Sequence, residues 1–322
     1  MIKRIAKVSI NLLLITVGLF SFWRIGEHID FNKTWRTITS LKIDIILLIV
    51  LATISAYTLR TYRWMLLLNH QRNKTSFTAA SVSLMYGYFV NLGIPRLGEI
   101  ARAGAINKQT KKPFSFVLGT IVVERLIDIL SLASLLLIYL LVFSKILTTY
   151  YNERITSILI EIPKIPFWVI TSSMVFIVFI VYWIVKKLPS VIKPHLKSFK
   201  KGFTSIIGIS NKFLFFSLTL GIWISYFFTS YLCFFSFDHQ YHLSIIAGIS
   251  VLILGSVVRS IPIQGGSLGV FHTAVISILT LSIFGIDEQT AFTISFVIHA
   301  IQTLFQLITG SLAAVYLSVI KR

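Results

Sequence analysis

Apolar runs of about twenty residues recur along the whole chain, and nothing else in it constrains the fold so tightly. "VSINLLLITVGLFSFW" (8–23) and "SLASLLLIYLLVF" (131–143) are parts of two of them. A helix of about 20 apolar residues crosses a bilayer. In hydrocarbon the backbone must satisfy its own hydrogen bonds, which leaves helices as the spanning element for runs of this kind. Such runs are expected to span near 5–24, 43–60, 114–143, 165–185, 213–236, 243–259, 267–285 and 290–319. Of the 322 residues, 56% are hydrophobic and only 13% charged, against roughly 25% charged in a soluble domain. One soluble core has no room for so many separate runs. The expected fold is therefore an all-α polytopic integral membrane protein, residues 1–322 forming a single transporter-like domain. It has about eight transmembrane helices, with broken or re-entrant segments near 76–106 and 259–272. The basic start of "MIKRIAKVSINLLLITVGLFSFW" has the shape of a signal sequence. It lacks a small-x-small cleavage site and is expected to remain as the first span.

The net charge of +19 would suggest nucleic acid only if the basic residues shared one surface. They lie instead between apolar runs, so they carry topology, and no nucleic-acid partner is expected. With the N-terminus cytoplasmic and 76–94 dipping in and returning on the same side, 22 of the 30 Lys and Arg fall inside and seven outside. That is the positive-inside bias, with both termini at the cytoplasmic face of the cell membrane. The longest basic stretch, Lys186–Lys212, suits an interfacial helix as well as a topology signal. A single cysteine, Cys233, rules out an intrachain disulfide and a Cys-rich metal site. No cofactor is expected.

Helix breakers and charges coincide at "NLGIPRLGEIARAGAI" (91–106). Pro95 ends the incoming segment and opens the next helix at its first position, and Gly98 loosens the same turn. Arg96, Glu99 and Arg102 then follow at steps of three, a spacing that allows Arg96–Glu99 and Glu99–Arg102 pairing. A carboxylate between two guanidiniums leaves spare donors for a phosphate or carboxylate ligand. The plainer alternative is an ordinary ion-pair ladder at a helix end. A second break, "RSIPIQGGSLGVFH" (259–272), has Pro262 ending one run and Gly265, Gly266 and Gly269 around the next helix start. Exposed N–H groups there favour an anion; a tight glycine turn is the alternative. The spacing fits neither a P-loop nor a dinucleotide fingerprint. One Pro/Gly interruption in each half of a membrane chain points to a transporter substrate site.

Within the run 114–143, "TIVVERLIDIL" sets Glu124 and Asp128 on one helical face with Thr120 and Ser131. Arg125 points elsewhere, toward a neighbouring helix. Ionisable groups at such depth face a bundle interior and pair there. In the last span Ser295, His299, Gln302, Gln306, Thr309 and Gly310 form a polar stripe. Such stripes act as glue between helices or line a substrate path, with His299 the proton-linked candidate.

"RTYRWMLLL" (60–68), "NLGIPRLGEIARAGAI", "VVERLIDILSL" (122–132) and "IPIQGGSLGVF" (261–271) together resemble the lysylphosphatidylglycerol synthase transmembrane-region family, also called the flippase-like domain family. The resemblance covers essentially the whole chain and implies about eight spans with re-entrant segments. It also implies lipid translocation. Its motif residues here are Pro95, Arg96, Gly98, Glu99, Arg102, Glu124, Arg125, Asp128, Pro262, Gly265, Gly266 and Gly269. His272 stands where the pattern has an acidic residue, and His299 where a basic residue is common. The synthase domain to which such regions are fused has no counterpart here, so transport without synthesis is expected.

The substrate-binding candidates are thus Arg96, Glu99, Arg102, Glu124, Arg125, Asp128, Gly265, Gly266, Gly269, His299 and Gln302. The leading expectation is a non-enzymatic transporter of an anionic or phosphorylated lipid, whose partners are membrane lipids. With no ATP-binding motif, movement would run downhill or be ion-coupled. The alternatives are a membrane transferase using Glu99 or Asp128 as base, or a non-catalytic partner of a separately encoded lipid-modifying enzyme.

Overall fold

The computed structural model describes residues 29–69, 74–94, 96–155, 193–236, 244–260 and 269–320. The runs near 5–24 and 165–185, and the residues Pro95, Pro262, Gly265 and Gly266, lie outside these. A short helix α1 (Phe31–Thr39) leads into α2 (Ile43–Leu68), then α3 (Phe77–Gly93) and α4 (Leu97–Thr110). Next come α5 (Phe114–Val142), the short α6 (Ser144–Tyr150) with a π-helical turn Tyr151–Ile155, and α7 (Lys193–Phe203). The C-terminal part holds α8 (Lys212–Phe235), α9 (Ile245–Ser260), α10 (Val270–Leu279) and α11 (Glu288–Val319). No strand occurs among the described residues.

Side-chain caps set several helix starts. Asp30 accepts from the N–H groups of Asn32 and Lys33, Asn211 from that of Leu214, and Asp287 from that of Thr290, satisfying donors that a helix start leaves free. Among the described residues, four helices are long and apolar enough to cross a membrane: α2, α5, α8 and α11, with 26, 29, 24 and 32 residues. Helices α3, α4, α9 and α10 have 17, 14, 16 and 10 residues. At 1.5 Å per residue they fall short of a hydrocarbon core roughly 30 Å thick. They form two broken pairs instead.

Helix α11 serves as a ruler for those pairs. Beside its N-terminal third lies α10: His272 Nδ1 is 3.0 Å from Ser295 Oγ, and the Phe271 and His299 rings are 5.8 Å apart. Beside its C-terminal half lie α3 and α4. Thr309 Oγ1 meets Met85 Sδ at 3.4 Å, Gly310 abuts Phe89, and Lys108 Nζ donates to the Leu317 carbonyl at 2.6 Å. The α3–α4 pair is an antiparallel hairpin, with Gln109 Nε2 on Ser83 Oγ at its base and Gly98 N–H on Asn91 Oδ1 at its tip. The α9–α10 pair closes on itself too, Gly255 leaving room for the Phe271 ring. The hairpins therefore enter from opposite ends of α11. Their tips meet where Arg96 Nη2 donates to the Ser260 carbonyl at 3.1 Å.

Apolar packing follows the same division. One buried cluster, including Ile49, Val251, Phe271, Val275, Phe292 and Ile298, surrounds α9 and α10. A second, including Trp64, Leu67, Ala80, Ala103, Ile106 and Phe116, surrounds α3 and α4. Polar groups occupy the layer between them. Cys233 is buried against α11 with its Sγ 3.8 Å from the Ile294 carbonyl, a packing residue. At the α10–α11 end the chain is clasped by the turn after α6: Arg154 bonds Thr280 Oγ1 at 2.6 Å, and Glu153 accepts from the Ser282 hydroxyl and N–H. Those two donors hold the Glu153 carboxyl below its ordinary range.

The basic helix α7 packs flat on α5 through glycine. A Cβ on Gly202 would lie 2.0 Å from the Phe116 carbonyl oxygen, and one on Gly119 would lie 2.3 Å from that of Phe199. Backbone meets backbone, so neither side yields. Gly202→Ala is expected to detach α7 and lower the melting temperature in detergent, by the roughly 1–3 kcal/mol typical of overpacking. An unchanged melt would contradict that close approach.

Candidate functional site: an arginine-rich cavity between two hairpin tips

Helix α2 continues past residue 60, where the apolar run was expected to stop, and this carries Arg60 and Arg63 into the protein. Spaced by three, they share one face and bracket Asp128 of α5. Arg60 Nη2 bonds Asp128 Oδ2 at 2.5 Å and Arg63 Nη2 bonds Oδ1 at 2.6 Å. One turn along α5, Glu124 pairs with Arg102 of α4 at 2.6 Å and lies 3.8 Å from Arg63. The Arg102 guanidinium also lies 3.4 Å from the Trp64 ring centroid, a cation–π contact. Trp64 in turn donates to Thr120 Oγ1 at 3.0 Å, and Arg60 Nη1 donates to the Tyr226 hydroxyl at 3.0 Å. This ion chain ties α2, α4, α5 and α8 together. Glu124 is 1% exposed and Arg63 0%, so neither charge has water to fall back on.

The ladder expected within α4 does not form. Glu99 reaches across to Arg125 of α5 at 2.7 Å, and Arg102 takes Glu124. Arg96 turns to the other hairpin. The reason lies in the backbone at the break. Arg96 has φ 66°, a left-handed conformation costing roughly 1–3 kcal/mol for a non-glycine residue. It stands ahead of the first helical turn and off the line of Glu99. Arg125, expected to seek a neighbouring helix, does so.

Between the hairpin tips and this chain lies a cavity of about 680 Å³, within the usual size of ligand sites. Arg96, Glu99, Arg125, Asp128, His299 and Gln302, all expected, line it. Arg102 and Glu124 do not; they sit behind the wall and hold it. Gly98 closes the α3–α4 hairpin, and Gly269, with φ 81°, starts α10 without lining the cavity. The polar stripe of α11 divides: Ser295, Thr309 and Gly310 hold neighbouring helices, whereas His299, Gln302 and Gln306 line the cavity.

Several lining residues escaped the sequence, Arg60, Arg259, Tyr57 and Tyr226 among them. Arg259 was expected in an inside loop; it stands at the tip of the second hairpin, one residue before Ser260. The available signal was its place at the end of a run only 16 residues long. The cavity walls differ in character. Along α5, Leu118, Val122, Leu126 and Ile129 present an apolar stripe, while α2, α9 and α11 present Arg60, Arg259, Gln302 and Gln306. No group of three or more His, Cys, Asp and Glu suited to a metal occurs among the described residues.

Comparison with known proteins agrees with this architecture. No solved structure matches the chain. A UPF0104 membrane protein of Methanocaldococcus jannaschii is 27% identical over 216 residues, covering 64% of this chain and 84% of that relative. The family model described as "Lysylphosphatidylglycerol synthase TM region" matches residues 8–310. On that match over nearly its whole length, the chain belongs to the lysylphosphatidylglycerol synthase TM region family.

Proposed function

We propose that this protein moves a lipid with an anionic, phosphate-bearing headgroup across the cytoplasmic membrane, without chemical change. One observation carries the reading. A cavity between two opposed hairpin tips has an apolar stripe on α5 and, among its described lining residues, four guanidiniums against two carboxylates. Arginine favours phosphate because its planar fork binds two oxygens at once. The apolar stripe suits an acyl or prenyl chain, which distinguishes a lipid from a soluble anion. Broken helices at mid-depth supply the site, as in transporters whose discontinuous segments meet there. The Lys108 end of the α3–α4 hairpin is assigned to the cytoplasm by the positive-inside bias, and the α9–α10 hairpin to the other face. A separately encoded lipid-modifying enzyme would supply or consume the lipid.

The test is one-sided quenching of fluorescent lipids in liposomes holding the purified protein. Zwitterionic, anionic and polyprenyl-phosphate probes are compared. Anionic probes should lose protection at least tenfold faster than in empty liposomes. Arg96→Ala and Glu99→Gln, if folded, should slow that loss several-fold. Rates equal to those of empty liposomes for every anionic probe would reject transport.

A further inference from the structure

Among the described residues, six arginines and three carboxylates stand in or behind the cavity wall, and their pairing is uneven. Arg60, Arg63 and Arg102 share Asp128 and Glu124, while Arg125 is matched by Glu99. The other two have no carboxylate. Arg96 gives an N–H to the Ser260 carbonyl, a neutral acceptor. Arg259 has no hydrogen bond and no ion pair among the described residues; its guanidinium lies 4.1 Å from the Phe271 ring centroid. An aromatic face attracts a cation by roughly 0.5–2 kcal/mol but supplies no countercharge.

Arg96 and Arg259 are both exposed residues, and both line the same cavity. They are neighbours as well, since Arg96 bonds the residue that follows Arg259. Intramembrane charges are costly and pair with one another or with backbone carbonyls. Two guanidiniums without a carboxylate on one cavity leave two charges uncompensated, so an anion held between them lowers that cost. Phe271 keeps Arg259 in place for this, and Gly255 makes room for Phe271: a Cβ there would lie 2.8 Å from the ring.

Matching that charge calls for about two negative charges. A phosphate monoester carries about −1.5 to −2 at neutral pH, whereas a diester of the common phospholipid kind carries one. We propose that Arg259 and Arg96 form a subsite for a dianionic phosphate, namely the phosphomonoester or diphosphate end of a lipid. The lipid part rests on the transport reading; the dianion part rests on the charge count alone. A soluble phosphate has the same headgroup chemistry, so the experiment must separate the two.

The purified protein is titrated by calorimetry with short-chain phosphatidic acid, short-chain phosphatidylglycerol, glycerol 3-phosphate and inorganic phosphate. Phosphatidic acid should bind at least tenfold more tightly than phosphatidylglycerol. Arg259→Gln should erase that preference, and Arg259→Lys should keep part of it as a point charge. Melting curves establish that each variant is folded; if Arg259→Gln is not, Arg96→Gln and Arg259→Lys decide. Equal affinity for phosphatidic acid and phosphatidylglycerol would overturn the dianionic subsite while leaving anionic-lipid transport standing. Glycerol 3-phosphate binding as tightly as phosphatidic acid would support the subsite and overturn the lipid reading. Binding of none of the four, or an unchanged preference in folded Arg259→Gln, would overturn the subsite.

Discussion

Gly98→Ala is expected to abolish transport while the protein still inserts and can be purified. A Cβ at Gly98 would lie 2.0 Å from the Gly87 carbonyl oxygen and 2.5 Å from Asn91 Cγ. Backbone on α3 is what it meets, so no side chain can swing aside. The facing position is as tight: a Cβ on Gly87 would lie 2.9 Å from the Gly98 carbonyl oxygen and 3.0 Å from Arg102 Cβ. One methyl group must therefore part α3 from α4 near the tip. The energetic penalty is modest, roughly 1–3 kcal/mol for overpacking, but the displacement falls on the site. Glu99 follows Gly98 directly and Arg102 lies one turn on, and each holds a partner on α5 at 2.6–2.7 Å. Gly104→Ala, in the same helix with nothing within 4 Å of the new Cβ, is the control. It should be neutral or stabilising by roughly 0.5–1 kcal/mol. Transport by liposomes and melting in detergent together check the prediction. Wild-type transport by Gly98→Ala would mean that the hairpin tip does not shape the site.

What could be read from the sequence, and what could not, divides along physical lines. Apolar run length depends on composition alone, so α2, α5, α8 and α11 were legible, as were the breaks after Gly93 and Ser260. The residues around the first break, with Glu124, Arg125 and Asp128, were legible because charge inside an apolar run is rare. Their partners were not. Spacing along one helix suggested that Glu99 would pair within α4, yet the carboxylate is held by Arg125. Periodicity records which residues share a face, not which helix stands opposite. Arg60 and Arg63 were lost for a related reason. An arginine at the end of an apolar run reads as a membrane boundary, and here the helix continues to Leu68 with both guanidiniums buried. Arg259 was hidden in the same way. The shortness of α9 was the missing cue, since a positive residue near the end of a 16-residue run need not have reached the far side.

Glu124→Gln should be the most destabilising conservative change in the protein. Glutamine nearly preserves the shape, so the effect isolates the charge. Glu124 is 1% exposed and serves Arg102 at 2.6 Å and Arg63 at 3.8 Å. Its loss leaves two carboxylates' work to Asp128 alone, against three guanidiniums. Removing one partner of a buried pair typically costs about 3–5 kcal/mol, because the other charge stays buried without compensation. Water cannot relieve Arg102, whose guanidinium is covered by Trp64. If uncompensated charge is the cause, removing the partner should restore stability. Glu124→Leu combined with Arg102→Met returns the local surplus to one positive charge and fills the space with apolar atoms. Replacing a buried ion pair in this way is often neutral or better. The double variant should therefore recover most of the loss, with a coupling energy beyond the 0.3–0.5 kcal/mol expected of independent sites. Unfolding of both singles and the double in mixed micelles provides the cycle. Additive losses would show that Glu124 and Arg102 act separately, and the ion chain would then not be the unit that holds α4 against α5. Recovery of stability without recovery of transport would separate the two roles. The pair would fix the wall, and the charges lining the cavity, Arg96 and Arg259 among them, would depend on where that wall stands.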